Sequence, residues 1–271
     1  MGRTTTINWT DATWNPWWGC VRVSPGCKFC YAETLAHRWG LDVWGPTAER
    51  RMMSDDYWKK PVAWDQQARK TGKRVRVFCA SMADVFEDRA DLEEPRGRLW
   101  NLIQHTPNLD WLLLTKRPEN IAYLYPAEWP THPIDNDPAP SNVWLMTTTE
   151  DQVSFDKRLP HLATIPAVVR GLSVEPMLGP VDLYHFQGRI DWVICGGESG
   201  PGARPMSLEW ARDLRDQCDR FGIPFWFKQL GSVLARELGA EGKGEALEDI
   251  PEDLRIRELP SMADVPGGDD E

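Results

Sequence analysis

Residues 18–33, WGCVRVSPGCKFCYAE, are the stretch of sequence that decides the fold. They follow a short apolar run at residues 13–19 that is typical of a buried strand, and they lead into a candidate helix at residues 30–39. The stretch contains three cysteines within eleven residues, in the pattern C-x6-C-x2-C: Cys20, Cys27 and Cys30. The sequence therefore predicts a loop with three thiols between a first strand and a first helix.

The three cysteines of this loop favour a metal site. Six cysteines are too few for a disulfide scaffold in a chain of 271 residues, and a tight cluster is typical of metal ligation in a reducing compartment. Thiolates are the usual ligands of iron–sulfur clusters, and three of them on a four-iron cube leave one iron open. Zinc is the alternative, with His37 as a fourth ligand in the pattern C-x6-C-x2-C-x6-H.

Further apolar runs recur along the chain, separated by stretches that suit helices. We predict strands at residues 13–19, 75–79, 111–114, 143–147, 167–172, 192–195 and 224–227. The predicted helices lie at residues 30–39, 90–104, 154–162 and 208–221. Ser207 is the expected N-cap of the last helix, and Gly222 is its expected end. This alternation predicts an α/β fold, a partial or complete β/α (TIM-like) barrel.

Each predicted strand is followed by a polar or glycine-rich segment. After the cysteines these segments read SMADVF, LTKRP, TTTE, SVEPMLG, GGESG and KQLG. Loops at the carboxyl ends of barrel strands build the active site of a β/α barrel, so we expect these segments to share a cavity. The catalytic candidates are Asp84, Glu175 and Lys228. The cofactor-binding candidates are Ser81, Lys116, Arg117, Gly196, Gly197, Glu198 and Ser199.

The segment CKFCYAE resembles the cysteine loop of radical SAM enzymes, which follows the first strand of a partial β/α barrel. In those enzymes the usual pattern is C-x3-C-x2-C with an aromatic residue before the last cysteine; Phe29 fills that position, whereas the first spacing is six residues here. The body of the chain, residues 7–231, is also similar to a family of phage and bacterial three-cysteine-motif proteins. The segments that carry this similarity are SMADVF, LTKRP, SVEPMLG, GGESGPGARP and FWFKQLG.

The resemblance implies that Cys20, Cys27 and Cys30 hold a [4Fe-4S] cluster whose free iron chelates S-adenosylmethionine (SAM). Reduction would then cleave SAM to methionine and a 5′-deoxyadenosyl radical, which abstracts hydrogen from a substrate. The GGE segment at residues 196–198 is similar to the segment that binds the SAM amino group in those enzymes. There it usually follows the second strand, whereas here it follows the sixth predicted one.

The sequence divides into a barrel domain, residues 1–231, and an acidic tail, residues 232–271, that we expect to be partly disordered. The tail has twelve Asp or Glu against four Lys or Arg, which accounts for −8 of the net charge of −10 and leaves the body close to neutral. Within the barrel domain, residues 42–73 form a candidate insertion or lid over the barrel mouth.

Two features bear on a nucleic-acid partner. One is a set of basic residues that forms either a groove or a solvated helix face: Lys59, Lys60, Arg69, Lys70, Lys73, Arg74 and Arg76. The other is a concentration of tryptophans in the first quarter of the chain, whose rings either stack on bases or pack in the core: Trp9, Trp14, Trp17, Trp18, Trp39, Trp44, Trp58 and Trp64.

Together these features predict a cytoplasmic radical SAM-type enzyme that modifies or repairs a nucleobase, nucleotide or nucleic acid. Its expected partners are that substrate, an electron donor of the reductase or flavodoxin type and a protein encoded nearby; no membrane contact is expected, since no run of eighteen apolar residues or basic-flanked leader is present. Two alternatives stay open. One is a metal-stabilised binding module without turnover, and the other is a SAM-independent hydrolase that uses Asp84, Glu175 and Lys228.

Overall fold

This computed structural model describes residues 5–132 and 139–261, which form nine strands and eight α-helices. The strands are β1 (Ala12–Thr13), β2 (Trp17–Trp18), β3 (Arg51–Met52), β4 (Val75–Cys79), β5 (Leu109–Thr115), β6 (Val143–Thr148), β7 (Val169–Val174), β8 (Trp192–Gly196) and β9 (Phe225–Gln229). The helices are α1 (Tyr31–Arg38), α2 (Asp55–Trp58), α3 (Lys60–Thr71), α4 (Glu93–Gln104), α5 (Ile121–Leu124), α6 (Gln152–Thr164), α7 (Leu208–Phe221) and α8 (Ser232–Glu237).

Seven of the strands form one parallel sheet in the order β1-β4-β5-β6-β7-β8-β9. The residues just before β1 reach across to β9, at the other edge of the sheet. Asn8 Nδ2 donates to the Lys228 carbonyl oxygen at 3.3 Å, and Trp226 Nε1 donates to Asn8 Oδ1 at 3.1 Å. The sheet therefore curls into a half-barrel, which confirms the predicted α/β fold with a partial β/α barrel.

The two faces of the sheet bury different apolar sets, because side chains alternate along each strand. The outer face packs against the helices, for example through Ala68 of α3 and Leu214 of α7. The inner face carries a separate cluster made mainly of bulky side chains: Trp9, Phe78, Leu112, Trp144, Met146, Val169, Trp192, Ile194 and Trp226. Large rings fill the interior at that level, and the cavity described below lies nearer the carboxyl ends of the strands.

The helix signals in the sequence were accurate at α7. Ser207 accepts a hydrogen bond from the Glu209 amide at 3.1 Å, and Gly222 ends the helix with φ of +67°. Helix α6 begins two residues earlier than predicted, because Asp151 caps it through a reciprocal bond pair with Ser154.

The predicted first strand at residues 13–19 is wrong in its second half. Strand β1 ends at Thr13, and β2 leaves the main sheet to pair antiparallel with β3 in a two-stranded ribbon. Asn15 and Pro16 separate the two strands; the Asn15 side chain accepts from the Met82 amide at 2.7 Å, and proline has no amide to give to a ladder.

Residues 42–73 do not behave as one insertion. Helix α3, in the second half of this range, packs on the outer face against β4 and β5, and Ala68 is buried there. This part of the range is the crossover helix that leads into β4, so the expectation of a lid applies only to the segment before it. That earlier segment contains β3 and Trp44, which lies at the cavity described below.

The segment after residue 231 packs against the edge strand β9. The Phe227 amide donates to the Ile256 carbonyl oxygen at 2.8 Å, and Ile250 and Leu254 are fully buried. Residues 232–261 are therefore packed on the barrel and are not a separate tail, because a few apolar side chains suffice to cover one sheet edge. Residues 262–271 lie outside the described range. Among the described residues, no helix is both long and apolar enough to span a bilayer.

Candidate metal and cofactor site

A cavity of about 830 Å³ opens at the carboxyl ends of the parallel strands. Trp9 and Phe78 of the inner-face cluster line it, together with the segments that follow the strands. The candidates from the sequence that line it are Cys20, Cys27, Cys30, Ser81, Asp84, Lys116, Arg117, Glu175, Gly197, Glu198, Ser199 and Lys228. Gly196 is the one candidate that does not. The structure thus brings the candidate residues to one place, while their individual roles stay predictions.

The cysteine loop, residues 19–30, leaves β2 and ends at the start of α1. Gly19 has φ of +118°, and a Cβ there would lie 2.3 Å from a backbone carbonyl oxygen, so only glycine permits this path. Cys27 ends a 3-10 helix, Pro25–Cys27, and Cys30 is the N-cap residue of α1. All three cysteines are free and half-buried, and all three line the cavity.

The first anchor of the cysteine loop is the buried ion pair of Asp84 and Arg117. Arg117 Nη1 lies 2.8 Å from Asp84 Oδ2 and 3.6 Å from Cys20 Sγ, and Arg117 Nη2 donates to the Val21 carbonyl oxygen at 2.8 Å. Asp84 also accepts from two backbone amides and from the Thr115 hydroxyl. Both charged groups are used in holding the loop near Cys20, which leaves little of either for a bound ligand.

A second buried ion pair, Glu150 with Arg158, anchors the middle of the loop. Arg158 Nη1 lies 2.7 Å from Glu150 Oε2, and Glu150 Oε1 accepts from the Gly26 amide at 3.1 Å. Burial acts to raise the pKa of the Glu150 carboxyl, but Arg158 and a hydrogen bond from Ser24 outweigh it, so the pKa lies below its usual value. An ionised Glu150 therefore holds the turn that carries Cys27.

The third anchor is Glu198 with Arg204, on the loop after β8. Arg204 donates through its backbone amide and its Nε to Glu198 Oε2, each at 2.8 Å, and through Nη2 to Oε1. The Arg204 guanidinium carbon lies 5.4 Å from the centroid of the Phe29 ring, beside Cys30. Glu198 was a candidate acceptor for a cofactor amine, but its carboxylate is occupied by Arg204.

The remaining polar candidates, Glu175, Lys228, Lys116 and Ser81, have fewer hydrogen-bond partners than the three ion pairs above. Glu175, directly after β7, and Lys228, in β9, form an ion pair at the cavity wall with 2.5 Å between Oε1 and Nζ, and each keeps more than a tenth of its side chain exposed. Lys116 Nζ donates to the Thr148 hydroxyl at 3.4 Å, and within the described residues it pairs with no carboxylate. The Ser81 hydroxyl bonds to an asparagine side chain. Lys116 is therefore a cation available to an anionic ligand.

Gly197, in the GGESG segment, allows two backbone segments to pack closely. A Cβ on Gly197 would lie 2.1 Å from the Leu230 carbonyl oxygen, and one on Gly231 would lie 2.7 Å from the Gly197 carbonyl carbon. The Gly196 carbonyl accepts from the Met177 amide at 2.9 Å. The loops after β8 and β9 meet here at a distance that side chains would prevent. This contact explains why Gly197 and Gly231 are glycines, without a ligand.

The chemistry of the three thiols fits a multi-iron cluster. Burial raises the pKa of Cys20 to about 12 despite Arg117, and it also raises the pKa of Cys30. Thiolates in such surroundings are costly unless a cation binds them. Among the described residues, no three His, Cys, Asp or Glu side chains converge on a point that would hold one metal ion. A cube avoids that requirement, because each thiolate binds a different iron.

The zinc arrangement considered from the sequence is not formed. His37 is exposed on α1 and does not line the cavity, whereas a tetrahedral zinc site needs four ligands on one ion. The helix that begins after Cys30 carries His37 away from the thiols, as its spacing of about two turns requires.

Sequence reasoning missed two residues that support the loop, Arg158 and Arg204. Arg204 lies in the GGESGPGARP segment, six residues after Glu198. A basic residue so close to an acidic one in a glycine-rich turn was a signal that could have predicted their ion pair. Arg158 lies inside α6, eight residues after Glu150, and nothing in the local sequence marks it as a partner.

Solved structures give a likeness in fold. A cysteine-to-serine mutant of spore photoproduct lyase is 12% identical, with a TM-score of 0.52, over 83% of this chain and 80% of that one. A second mutant of that lyase, with bound AdoMet and dinucleoside spore photoproduct, is 13% identical with a TM-score of 0.49, over 83% and 80%. No curated protein matches the sequence.

The fold is therefore a parallel half-barrel like that of spore photoproduct lyase, with a three-cysteine loop that lines the cavity. Within that class of fold, a sequence profile described as "protein of unknown function (DUF5131)" matches residues 4–253. The chain belongs to this family.

Proposed function

We propose that the chain is a radical SAM-type iron–sulfur enzyme, with a [4Fe-4S] cluster on Cys20, Cys27 and Cys30, that modifies or repairs a nucleobase, nucleotide or nucleic acid. The observation that carries the proposal is the presence of these three free thiols on the wall of one cavity at the carboxyl end of a half-barrel. When bound, the cluster would pass one electron, taken from an external donor of the reductase or flavodoxin type, to SAM, which would be cleaved to methionine and a 5′-deoxyadenosyl radical.

The chain's own residues have separable parts in this proposal. Lys116 is the available cation for the SAM carboxylate, because Arg117 is already paired with Asp84. Asp84, with its four donors, is better suited to positioning Cys20 than to proton transfer. The pair of Glu175 and Lys228 is the group in the cavity wall that can hold or move a proton beside a substrate.

Cleavage of SAM under anaerobic reducing conditions tests the proposal. The reconstituted protein should release 5′-deoxyadenosine, and Cys27→Ala should abolish that release. The matched control is Cys218→Ala, since Cys218 is a buried residue of α7 and does not line the cavity. Circular dichroism of both variants reports whether the fold is kept.

Two results would overturn the proposal. One is equal release of 5′-deoxyadenosine from wild type and Cys27→Ala. The other is an iron-loaded wild-type protein that binds SAM and leaves it intact, which favours the metal-stabilised binding module. A hydrolytic activity that survives iron removal and needs Glu175 would favour the SAM-independent hydrolase.

A further inference from the structure

A pair of neighbouring tryptophan rings, one exposed and one half-buried, lies at the cavity. Trp39 is 63% exposed, and its ring centroid lies 5.3 Å from that of the half-buried Trp18. The Arg51 guanidinium carbon, on β3, lies 5.3 Å from the Trp18 ring centroid. Both rings line the cavity. A large ring left mostly in water beside a second ring and a cation is the arrangement of a binding surface.

The Trp18 ring and the Trp39 backbone are fixed relative to the cysteine loop. Trp18 packs against a small buried cluster that includes Ala32 and Ala36 of α1, and Trp39 caps the end of that helix through its backbone amide. Helix α1 begins directly after Cys30. The platform is therefore built on the same short helix that carries the third thiol, and stacking on a rigid ring costs little ordering entropy.

The charge around the cavity has the opposite sign to the charge of the whole chain. Three acidic residues line the cavity: Asp84, Glu175 and Glu198. Six basic residues line it: Arg22, Lys60, Lys116, Arg117, Lys228 and Lys243. Their difference is +3, but Arg22 and Lys243 pair with Glu33 and Glu245 outside the lining, so Lys60 and Lys116 are the lining cations without a carboxylate partner among the described residues. Of the described ion pairs, none involves Lys60, Lys116 or Arg51, so these cations are available to an external anion.

We infer that Trp18, Trp39 and Arg51 form a stacking platform for the bases of a single-stranded polynucleotide, whose phosphates face the cations around the cavity. Base faces are accessible to such rings only where the strand is unpaired. The platform lies beside the thiols, so a base held next to it enters the same cavity. This inference rests on the proposed function and narrows its substrate from nucleobases in general to a polynucleotide strand.

Fluorescence anisotropy tests the inference without an active cluster. The probes are labelled single-stranded DNA and RNA of about 12 nucleotides, with the matched duplexes and a mononucleotide as competitors. We expect both single strands to bind, with affinity that falls as salt rises. Trp39→Ala should weaken binding about 5- to 150-fold, and Trp39→Phe should restore most of it.

Tyr184→Ala is the matched control, because Tyr184 is 59% exposed but lies outside the cavity lining; its binding should equal that of wild type. Iron content and SAM cleavage, measured on Tyr184→Ala without substrate, should also stay at wild-type levels. Three results would each overturn the inference. The first is equal strand binding by wild type and Trp39→Ala, and the second is a preference of wild type for the duplex or the mononucleotide. The third is a wild-type protein that binds no strand but forms a dimer, with the dimer lost in Trp39→Ala. None of these results alters the test of SAM cleavage, so the two failures are distinguishable.

Discussion

Replacing Arg158 by methionine is a direct test of how the cysteine loop is held. The Glu150 side chain is fully buried and that of Arg158 is 4% exposed, with 2.7 Å between the charged atoms. Arg158→Met leaves a carboxylate in the interior without its cation, while methionine fills much of the same space. Glu150 also accepts from the Gly26 amide, so the perturbation reaches the turn that carries Cys27.

Breaking one partner of a buried ion pair costs about 3–5 kcal/mol, because the remaining charge is uncompensated. We expect that loss in the free energy of unfolding of Arg158→Met. The double variant Glu150→Leu with Arg158→Met should recover part of it, since an apolar pair of similar volume is often neutral. A deficit of about 1–3 kcal/mol should remain from the buried Gly26 amide, which loses its acceptor.

Urea unfolding followed by tryptophan fluorescence measures these differences. The pH dependence gives a second check: since the folded pKa of Glu150 is lowered, its contribution is complete above the unfolded value of 4.5 and is lost as pH falls through the folded pKa. Arg158→Met should lack this loss at acid pH. A cost below about 1 kcal/mol, as for an exposed pair, would refute the argument.

Three further predictions concern single positions. Arg117→Lys should keep the fold but weaken iron retention against a chelator about 10–100-fold, because a lysine cannot reproduce the fork that reaches Cys20 Sγ and Asp84; unchanged retention would contradict this. Gly197→Ala should lower the free energy of unfolding by about 1–3 kcal/mol through contact with a carbonyl oxygen at 2.1 Å. Urea unfolding that is unchanged would show that the loops after β8 and β9 separate easily. Hydrogen bonds from two arginines of α7 lower the pKa of Asp253 to about 2, so its ion pairs should persist above pH 3.8 and disappear as pH falls toward 2; an NMR titration midpoint near 3.8 would contradict this.

The main features of the fold could be predicted from the sequence because they depend on local signals. Buried parallel strands appear as short apolar runs, and the polar segments after them end at the same edge of the sheet. The caps of α7 follow from Ser207 and Gly222, which act within one turn of the helix. The placement of the three thiols beside SMADVF and LTKRP follows from the same parallel order.

Features that depend on partners distant in the chain could not be predicted from the local sequence. Nothing local distinguishes Trp17 in the ribbon from a residue of the main sheet, because its register is set by Met52 far along the chain. The GGESG glycines were interpreted as ligand contacts, but the Leu230 backbone is what requires Gly197. Likewise Glu198 was interpreted as a free acceptor, although Arg204 occupies it.

Anaerobic metal analysis together with the electronic absorption spectrum measures directly whether Cys20, Cys27 and Cys30 hold an iron–sulfur cluster. We expect about four irons and four sulfides per chain after reconstitution, with brown colour, and loss of both when Cys20, Cys27 and Cys30 are replaced by alanine. We also expect this triple variant to stay folded, because three ion pairs hold the loop in place through protein contacts. Stoichiometric zinc with no iron, or iron content unchanged in the triple variant, would contradict a cluster on these cysteines.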